Sequence, residues 1–428
     1  MSAPGHPRIL FLTSSAFNRT TGGGVTFGNL FAGWPKDRLA TAHSDPVPTT
    51  DETCEIYFRL GPSELRHAGV LERLVRATPR AGEAASAPGR SRPMLRIAKT
   101  FLFGQQLPDR GALSAALERW IESFRPEVLY TILGSNGMME LTLAVQQRFR
   151  LPAVVHMMDD WPSALHRGGL LSPLARARME RLLHQVLGAA SLRLGICDAM
   201  CEAYMARYGV PFETFHNAVD VERWQSIPRR QNPVKEVLYV GSIFPVAQLD
   251  SLVHCCRAVA QLASEGMQIR LSISSPHAER YRDRLLVSNA VALSDGIADD
   301  AGFFRRIAAA DVLLMPVNFD AHTVRYIRYS MPTKLPAYLF SGTPILAYGP
   351  EEVAQVRYVK ESGTAHVVSS PGVENLAAGL RALLSDPERA RQLGARARAV
   401  AIERHDLRVV RPRFQQALAA AVESARPS

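Results

Sequence analysis

SMPTKLPAYLFSGTPILAY, the stretch from Ser330 to Tyr348, predicts a short helix between a polar loop and an apolar strand. The helix begins after the Pro-Thr-Lys loop and ends at Gly342. A helix start presents unpaired N–H groups and a positive dipole end, and Lys334 adds a full charge there. The preceding segment DVLLMP, 311–316, predicts a buried parallel strand, so an anion site is expected beyond its carboxyl end. The alternative is an ordinary strand–helix–strand unit with a solvated lysine.

Strands and helices alternate along the rest of the chain. Short apolar runs separated by helical segments predict parallel sheets covered on both faces, which is the α/β class. A chain of 428 residues is too long for one ordinary core. The polar stretch VERWQSIPRRQNPVKE, 221–236, separates two such series. We therefore predict a first domain of residues 1–220, a linker, a second domain of residues 237–405, and a C-terminal helix and tail, 406–428.

The composition restricts partners and compartment. The formal net charge is +10, which favours acidic partners such as phosphates or anionic lipids. The arginines are dispersed rather than interleaved with aromatic residues in a basic run, so no nucleic-acid partner is expected. The five cysteines have no metal-ligand spacing, which predicts a reducing compartment and no metal site. Without a signal pattern or an apolar run of about 18 residues, a cytoplasmic protein is expected, at most peripheral to the inner membrane face.

A run of three glycines follows the first predicted strand, ILFLT at 9–13. Gly22, Gly23 and Gly24 are predicted to form a loop before a helix from about Val25. Glycine accepts positive φ angles, so such a loop would let its backbone approach a ligand closely. The segment lacks the lysine of a phosphate-binding P-loop and the spacing of a dinucleotide fingerprint. The alternative is a flexible connection between strand and helix.

Several motifs resemble those of GT-B glycosyltransferases, particularly the retaining glycosyltransferase family 4 type. TFHNAVD, 214–220, is similar to the Asn-Gly-Val-Asp hinge of that family, with Ala218 in place of glycine. VLYVGSI, 237–243, resembles the first strand of its C-terminal domain. The segment 332–344 falls where the family places its donor-binding region. The order of these motifs over essentially the whole chain carries the resemblance.

The resemblance implies two Rossmann-like, parallel-sheet domains that face a cleft, with C-terminal helices crossing back to the N-terminal domain. It implies transfer of a sugar from a nucleotide sugar to a hydroxyl of a glycan, lipid-linked or small-molecule acceptor, with retention and without a metal or other cofactor. The C-terminal domain would hold the nucleotide and the N-terminal domain the acceptor. Polysaccharide biosynthesis is the expected setting. A sugar-nucleotide epimerase and a non-catalytic binding subunit of the same fold are the alternatives.

The chain departs from the family pattern at its charged positions. Ser242 and Ala247 stand where the family carries an Arg and a Lys for the diphosphate, and Tyr329 and Ala337 stand where it carries paired glutamates. We expect Lys334 to supply the missing charge with the help of nearby arginines. The expected donor-binding residues are Lys334, Thr333, Ser330, Gly241, Ser242, Arg325 and Arg328.

The acceptor side is predicted at VHMMDDWP, 155–162, where a strand ends in His156, Asp159 and Asp160. A carboxylate or imidazole there would take the proton of the acceptor hydroxyl. Adjacent side chains point in different directions, so only one of the two carboxylates is expected to face the sugar. We favour Asp160 over Asp159 and His156. The alternative is that a carboxylate only caps the following turn.

A basic and apolar segment, residues 94–103, follows a Pro- and Arg-rich stretch at 77–93. Its composition is compatible with an interfacial helix on an anionic membrane, which would suit a lipid-linked acceptor. The favoured interpretation is a helix whose apolar side packs on the first domain.

Overall fold

The computed structural model describes residues 6–19, 21–47, 49–67, 107, 109–225, 232–297 and 299–424. The segment 94–103, with its expected interfacial or packed helix, therefore lies outside the described residues. The chain divides into two compact units. The first unit comprises Met1–Phe215 together with Arg413–Ser428, and the second comprises His216–Pro412.

The first unit contains a seven-stranded parallel sheet and one antiparallel pair. Its strands are β1 (Ile9–Thr13), β2 (Leu39–His43), β3 (Ile56–Arg59), β4 (Leu65–His67), β5 (Asp109–Gly111), β6 (Val128–Thr131), β7 (Ala153–Met157), β8 (Leu192–Gly195) and β9 (Glu213–Thr214). The sheet order is β3-β2-β1-β6-β7-β8-β9, and β4 pairs with β5. Every residue of β1, β2, β6 and β7 is buried, as expected for strands covered on both faces.

Six α-helices lie entirely within the described part of this unit: α1 (Gly22–Phe31), α2 (Ala115–Phe124), α3 (Asn136–Phe149), α4 (Trp161–Ala164), α5 (Ser172–Ala189) and α6 (Asp198–Tyr208). Serine hydroxyls cap two of them: Ser114 accepts from the N–H of Leu117 at 3.1 Å, and Ser135 from that of Met138 at 3.2 Å. Such caps satisfy donors that the helix itself leaves unpaired. The core between β1, β6 and α1 is an aromatic cluster of Phe11, Phe27, Phe31, Tyr130 and Phe414.

The second unit contains a six-stranded parallel sheet in the order β12-β11-β10-β13-β14-β15. Its strands are β10 (Lys235–Val240), β11 (Ile269–Ser274), β12 (Val291–Ser294), β13 (Val312–Pro316), β14 (Ile345–Tyr348) and β15 (Ala365–Val368). The predicted α/β class with parallel sheets in both halves is confirmed.

The helices that follow are α7 (Leu249–Ser264), α8 (Arg282–Leu285), α9 (Asp300–Ala309), α10 (Ala321–Ile327), α11 (Leu335–Ser341), α12 (Ala354–Glu361), α13 (Val373–Ser385), α14 (Pro387–Arg404) and α15 (Leu407–Glu423). The short helix α11 ends at Gly342, whose φ of 66° is the left-handed cap geometry that glycine provides. It packs closely on α14, because a Cβ on Gly394 would lie only 2.0 Å from the Gly342 carbonyl oxygen. The last helix, α15, runs through Pro412 into the first unit.

Candidate functional site

In each large sheet the chain adds strands first on one side of a central strand and then on its other side. In the second unit β10 lies between β11 and β13, and in the first unit β1 lies between β2 and β6. Open α/β sheets bind ligands outside the carboxyl ends of their strands at such a switch point. Ligand sites are therefore expected at the ends of β10 and β13 and, separately, at those of β1 and β6.

Lys334 reaches the carboxyl end of β10 from the loop before α11. Its Nζ donates to the carbonyl oxygen of Val240 at 2.8 Å and lies 4.0 Å from the ring centroid of Tyr239. Gly241 has a φ of 134°, and a Cβ there would approach the Lys334 Nζ to 3.1 Å. The Ser242 carbonyl oxygen accepts from the Tyr239 hydroxyl at 2.6 Å. Glycine at 241 thus leaves the space that the lysine uses.

The surroundings of Lys334 disfavour its charge. The residue is partly exposed, yet burial around its ammonium group lowers the pKa of Lys334 to about 7. The Tyr338 ring lies 5.5 Å from Nζ, and its hydroxyl accepts from the N–H of Val240 at 3.1 Å. An anion beside Nζ would favour the protonated form, so the group is suited to a negatively charged ligand.

A pocket of about 100 Å³ lies next to this lysine. It is lined by Gln248, Met315, Pro316, Ile327, Ser330, Met331, Pro332, Lys334 and Gln355. The polar groups are two amides, one hydroxyl and the ammonium group, and they stand at the end of β13. The set provides hydrogen-bond donors for an anion without a carboxylate among the lining residues.

The structure brings together only part of the predicted donor set. Ser330 and Lys334 line the pocket, whereas Arg325 and Arg328 are exposed and do not. The Thr333 carbonyl oxygen accepts from the side-chain amide of Asn217 at 2.6 Å. The prediction that either arginine joins Lys334 in this pocket is therefore wrong, because Arg325 in α10 and Arg328 directly after that helix are both exposed to solvent.

On the acceptor side the histidine prediction is wrong. His156 is fully buried in β7, where its Nδ1 lies 2.5 Å from the Tyr130 hydroxyl. Its Nε2 lies 2.9 Å from the Phe215 carbonyl oxygen. With both ring nitrogens engaged inside the first unit, His156 packs the core instead of facing a substrate.

The solvent exposure of the two neighbouring carboxylates is the opposite of what the preference for Asp160 requires. Asp160 is 4% exposed and its Oδ1 accepts from the Tyr204 hydroxyl at 2.8 Å, whereas Asp159 is exposed. Burial, together with the charge of Asp160, raises the pKa of Tyr204 well above its ordinary value. Asp160 precedes α4, but its side chain makes no capping bond. Of the two carboxylates, Asp159 is thus the one at the surface.

The three glycines form the first turn of α1, so the loop prediction is wrong. None of them has a positive φ, and the Thr21 hydroxyl caps the helix by accepting from the N–H of Gly24 at 3.0 Å. A Cβ on Gly24 would lie 2.4 Å from the carbonyl oxygen of Asn18, whereas one on Gly23 would meet only Phe27 at 3.8 Å. Gly24 is therefore required by packing. The helix start lies after β1, at the switch point of the first sheet.

The comparisons with known proteins agree with this architecture. Residues 53–241 match the family model described as glycosyl transferase 4-like domain. Sucrose-phosphate synthase from Thermosynechococcus elongatus is similar over 98% of this chain and 100% of its own, with a TM-score of 0.64 and 15% identity. HepE from Anabaena in complex with UDP-glucose covers 96% of this chain and 99% of its own, with a TM-score of 0.59 and 12% identity. The fold is GT-B.

A third GT-B structure is WaaG, described as a glycosyltransferase involved in lipopolysaccharide biosynthesis, with 13% identity and a TM-score of 0.58 over 96% of this chain and 99% of its own. No curated protein gives a significant sequence match. The resemblance to GT-B glycosyltransferases is confirmed, and the family match supports glycosyl transfer as the class of activity.

Three polar residues of the GT-B units were not assigned to the site from the sequence. Gln248 and Gln355 line the pocket from the starts of two different helices, and Asn217 bonds the loop before α11. An isolated glutamine carries no motif, so only the fold brings these amides together. The hinge motif around Asn217 was a usable signal, but it indicated a turn rather than a contact with Thr333.

All five cysteines are buried, and none forms a disulfide. Within the described ranges, no group of three or more His, Cys, Asp or Glu side chains is placed to hold a metal ion. No helix in those ranges is long and apolar enough to cross a bilayer.

Proposed function

We propose that this protein transfers a glycosyl group from a nucleotide sugar to a hydroxyl of a glycan, lipid-linked or small-molecule acceptor, with retention and without a bound metal. The observation that carries the proposal is the position of Lys334, whose Nζ lies at the end of β10 beside a pocket lined with amide and hydroxyl groups. The resemblance to retaining family 4 enzymes supports the stereochemical part.

The donor chemistry follows from this lysine. Negative charge grows on the diphosphate as the bond to the sugar breaks, and preorganised positive charge lowers the barrier to that step. The family places its cations where this chain has Ser242 and Ala247. Lys334 approaches the same strand end from α11 and replaces them, with Ser330 and Gln355 as hydrogen-bonding partners in the pocket. HepE in complex with UDP-glucose supports a nucleotide sugar as the donor.

For the acceptor we assign Asp159 in place of Asp160. Its carboxylate is exposed, where it would orient the acceptor hydroxyl and take its proton, whereas the Asp160 carboxylate is buried against Tyr204. The involvement of WaaG in lipopolysaccharide biosynthesis supports a glycan or lipid-linked acceptor and a role in polysaccharide biosynthesis. Five buried cysteines that form no disulfide favour a reducing, cytoplasmic compartment.

The test begins with a thermal-shift screen against UDP, GDP, ADP, CMP, dTDP and their sugar conjugates. A ligand at 100 times its dissociation constant stabilises the folded state by about 2.7 kcal/mol. We expect one nucleotide to raise the melting temperature and Lys334→Ala to remove that shift. Lys360→Ala is the matched control, because this exposed lysine of the same unit pairs only with the surface carboxylate of Glu351 at 2.5 Å among its described contacts. No shift with any nucleotide would contradict the proposal.

Transfer itself is tested by incubating the identified sugar nucleotide with a panel of glycan and lipid-linked acceptors. The anomeric configuration of the product, read by NMR, distinguishes retention from inversion. Transfer that proceeds with retention in the presence of a metal chelator is the expected result. Inversion, or dependence on an added metal, would contradict those parts of the proposal.

A second function is favoured by the missing family residues. Ser242, Ala247, Tyr329 and Ala337 replace four charged groups, which is a pattern expected of a subunit that binds a nucleotide sugar without catalysis. Nucleotide binding without transfer or hydrolysis across the acceptor panel would select it. An epimerase would need acid and base carboxylates at the donor sugar, and the pocket lining contains none.

A further inference from the structure

The amide of Asn217 is bonded to the loop that carries Lys334. Asn217 is the second residue of the second unit and is 9% exposed. Its Nδ2 donates to the Thr333 carbonyl oxygen at 2.6 Å, although the two residues are 116 positions apart. Thr333 immediately precedes Lys334, so the bond fixes the peptide from which the lysine side chain leaves.

The neighbouring carbonyl groups of this loop are engaged as well. The Pro332 carbonyl oxygen accepts from the N–H of Leu335 at 2.9 Å, and that of Lys334 accepts from Tyr338 at 3.0 Å. The first bond closes the turn that precedes α11, and the second begins the helix. Asn217 therefore holds the one peptide carbonyl between them, and the loop has three successive anchors.

The segment that carries Asn217 is itself fixed independently of the loop. The N–H of Val219 donates to the His405 carbonyl oxygen at 2.8 Å, and the Val219 carbonyl oxygen accepts from Leu407 at 3.0 Å. The ring of His216 lies 4.3 Å from that of His405. These contacts attach residues 216–219 to the junction of α14 and α15, so Asn217 is a rigid support.

We propose that Asn217 is a positioning residue of the donor site, which holds Thr333 so that the Lys334 ammonium group stays at the end of β10. It acts through the loop and does not touch the donor. This inference rests on the proposed function and adds a residue to it. It also connects the first residues of the second unit with the anion-binding lysine through the Asn217–Thr333 hydrogen bond.

The test measures UDP-glucose binding by calorimetry between pH 6 and pH 9. Asn217→Ala is expected to lower the affinity about threefold to tenfold, the effect of losing one hydrogen bond that holds the lysine in place. The midpoint of the pH dependence is expected to move upward, because a released Lys334 is better solvated. In a Lys334→Ala background, Asn217→Ala is expected to have no further effect on affinity.

Two further variants keep the test independent of folding. Asn217→Asp has nearly the same shape and, when ionised, no donor for the Thr333 carbonyl, so it is expected to reproduce the loss without a cavity. Asn232→Ala is the matched control: its Nδ2 donates to the Ala309 carbonyl oxygen at 2.8 Å near the start of β13, away from the pocket. It is expected to lower the melting temperature and leave affinity and pH midpoint unchanged.

The outcomes distinguish the positioning role of Asn217 from the proposed function. Wild-type affinity and pH midpoint in both Asn217 variants, beside weakened binding in Lys334→Ala, would overturn the positioning role alone. Failure of the wild-type protein to bind any sugar nucleotide would overturn the proposed function and the positioning role with it.

Discussion

At the scale of single residues, we expect the protonation state of Lys334 to control donor binding. Burial lowers the pKa of this lysine to about 7 from its ordinary value of 10.5. A diphosphate binds the protonated form, so we expect the affinity for UDP-glucose to fall as the pH rises from about 7 to 9. A sugar nucleotide is the suitable probe, because it lacks the terminal phosphate that titrates near pH 6. Calorimetry across this range checks the prediction, and a flat profile would contradict it.

The pH dependence that Lys334 contributes to the free energy of unfolding has the opposite sign to its effect on donor affinity. Because its pKa is lower in the folded state, the unfolded chain binds more protons between pH 7 and 10.5. Its contribution to the free energy of unfolding therefore increases with pH across that window. In Lys334→Met both dependences are expected to disappear, which distinguishes this group from other titrating residues.

The two carboxylates after β7 are expected to respond differently to substitution. Asp159→Asn should lower kcat by a factor of about 100 to 10,000, the usual range for a lost proton acceptor, with unchanged donor affinity. Asp160→Ala should instead lower the free energy of unfolding by about 1–3 kcal/mol, because the buried Tyr204 hydroxyl loses its acceptor. Turnover assays and urea unfolding of both variants check this. Normal turnover in Asp159→Asn would remove it from the mechanism.

Local signals decided which residues could be predicted. Lys334 is identifiable because loop, lysine and helix are contiguous in the sequence. The burial of His156 and Asp160 was not predictable from the sequence. It depends on Phe215 and Tyr204, which lie 59 and 44 positions away. A polar residue at a strand end has the same local pattern whether a distant tyrosine covers it or a substrate does.

At the scale of elements, alanine substitutions at two glycines in the first turn of α1 are expected to change the stability in opposite directions. Gly24→Ala would place a Cβ 2.4 Å from the Asn18 carbonyl oxygen, so we expect a loss of 1 kcal/mol or more in unfolding free energy, on the order of an overpacked site. Gly23→Ala is the control, because its Cβ meets only Phe27 at 3.8 Å, and it should stabilise the helix by about 0.5–1 kcal/mol. Urea unfolding of the two variants compares them directly. Equal effects would contradict the packing role of Gly24.

Elements with continuous apolar runs were predictable, and those without them were not. The strands β1, β7 and β13 appear in the sequence as apolar segments and are wholly buried. β2, LATAH, is buried as completely although it contains Thr41 and His43. Its burial follows from its pairing with β1, and the local sequence pattern does not indicate that pairing.

At the scale of the whole molecule, the last helix provides part of the core of the first unit. Phe414 is fully buried, with its ring 5.1 Å from that of Phe31 and 5.4 Å from that of Phe215. Phe414→Ala is expected to lower the unfolding free energy of that unit by about 3–5 kcal/mol. Val409→Ala, on an exposed position of the same helix, is the control. Calorimetric scans check the prediction, and equal melting temperatures for the two variants would contradict it.

The course of α15 also has a consequence for synthesis on the ribosome. The first unit needs Phe414, and this residue is made after the whole second unit, nearly 200 positions later than Phe215. At about 5–20 residues per second, the nascent first unit waits roughly 10–40 s for its last core side chain. During that interval its aromatic cluster remains incomplete, so this half of the chain is the one expected to need a chaperone, although it leaves the ribosome first.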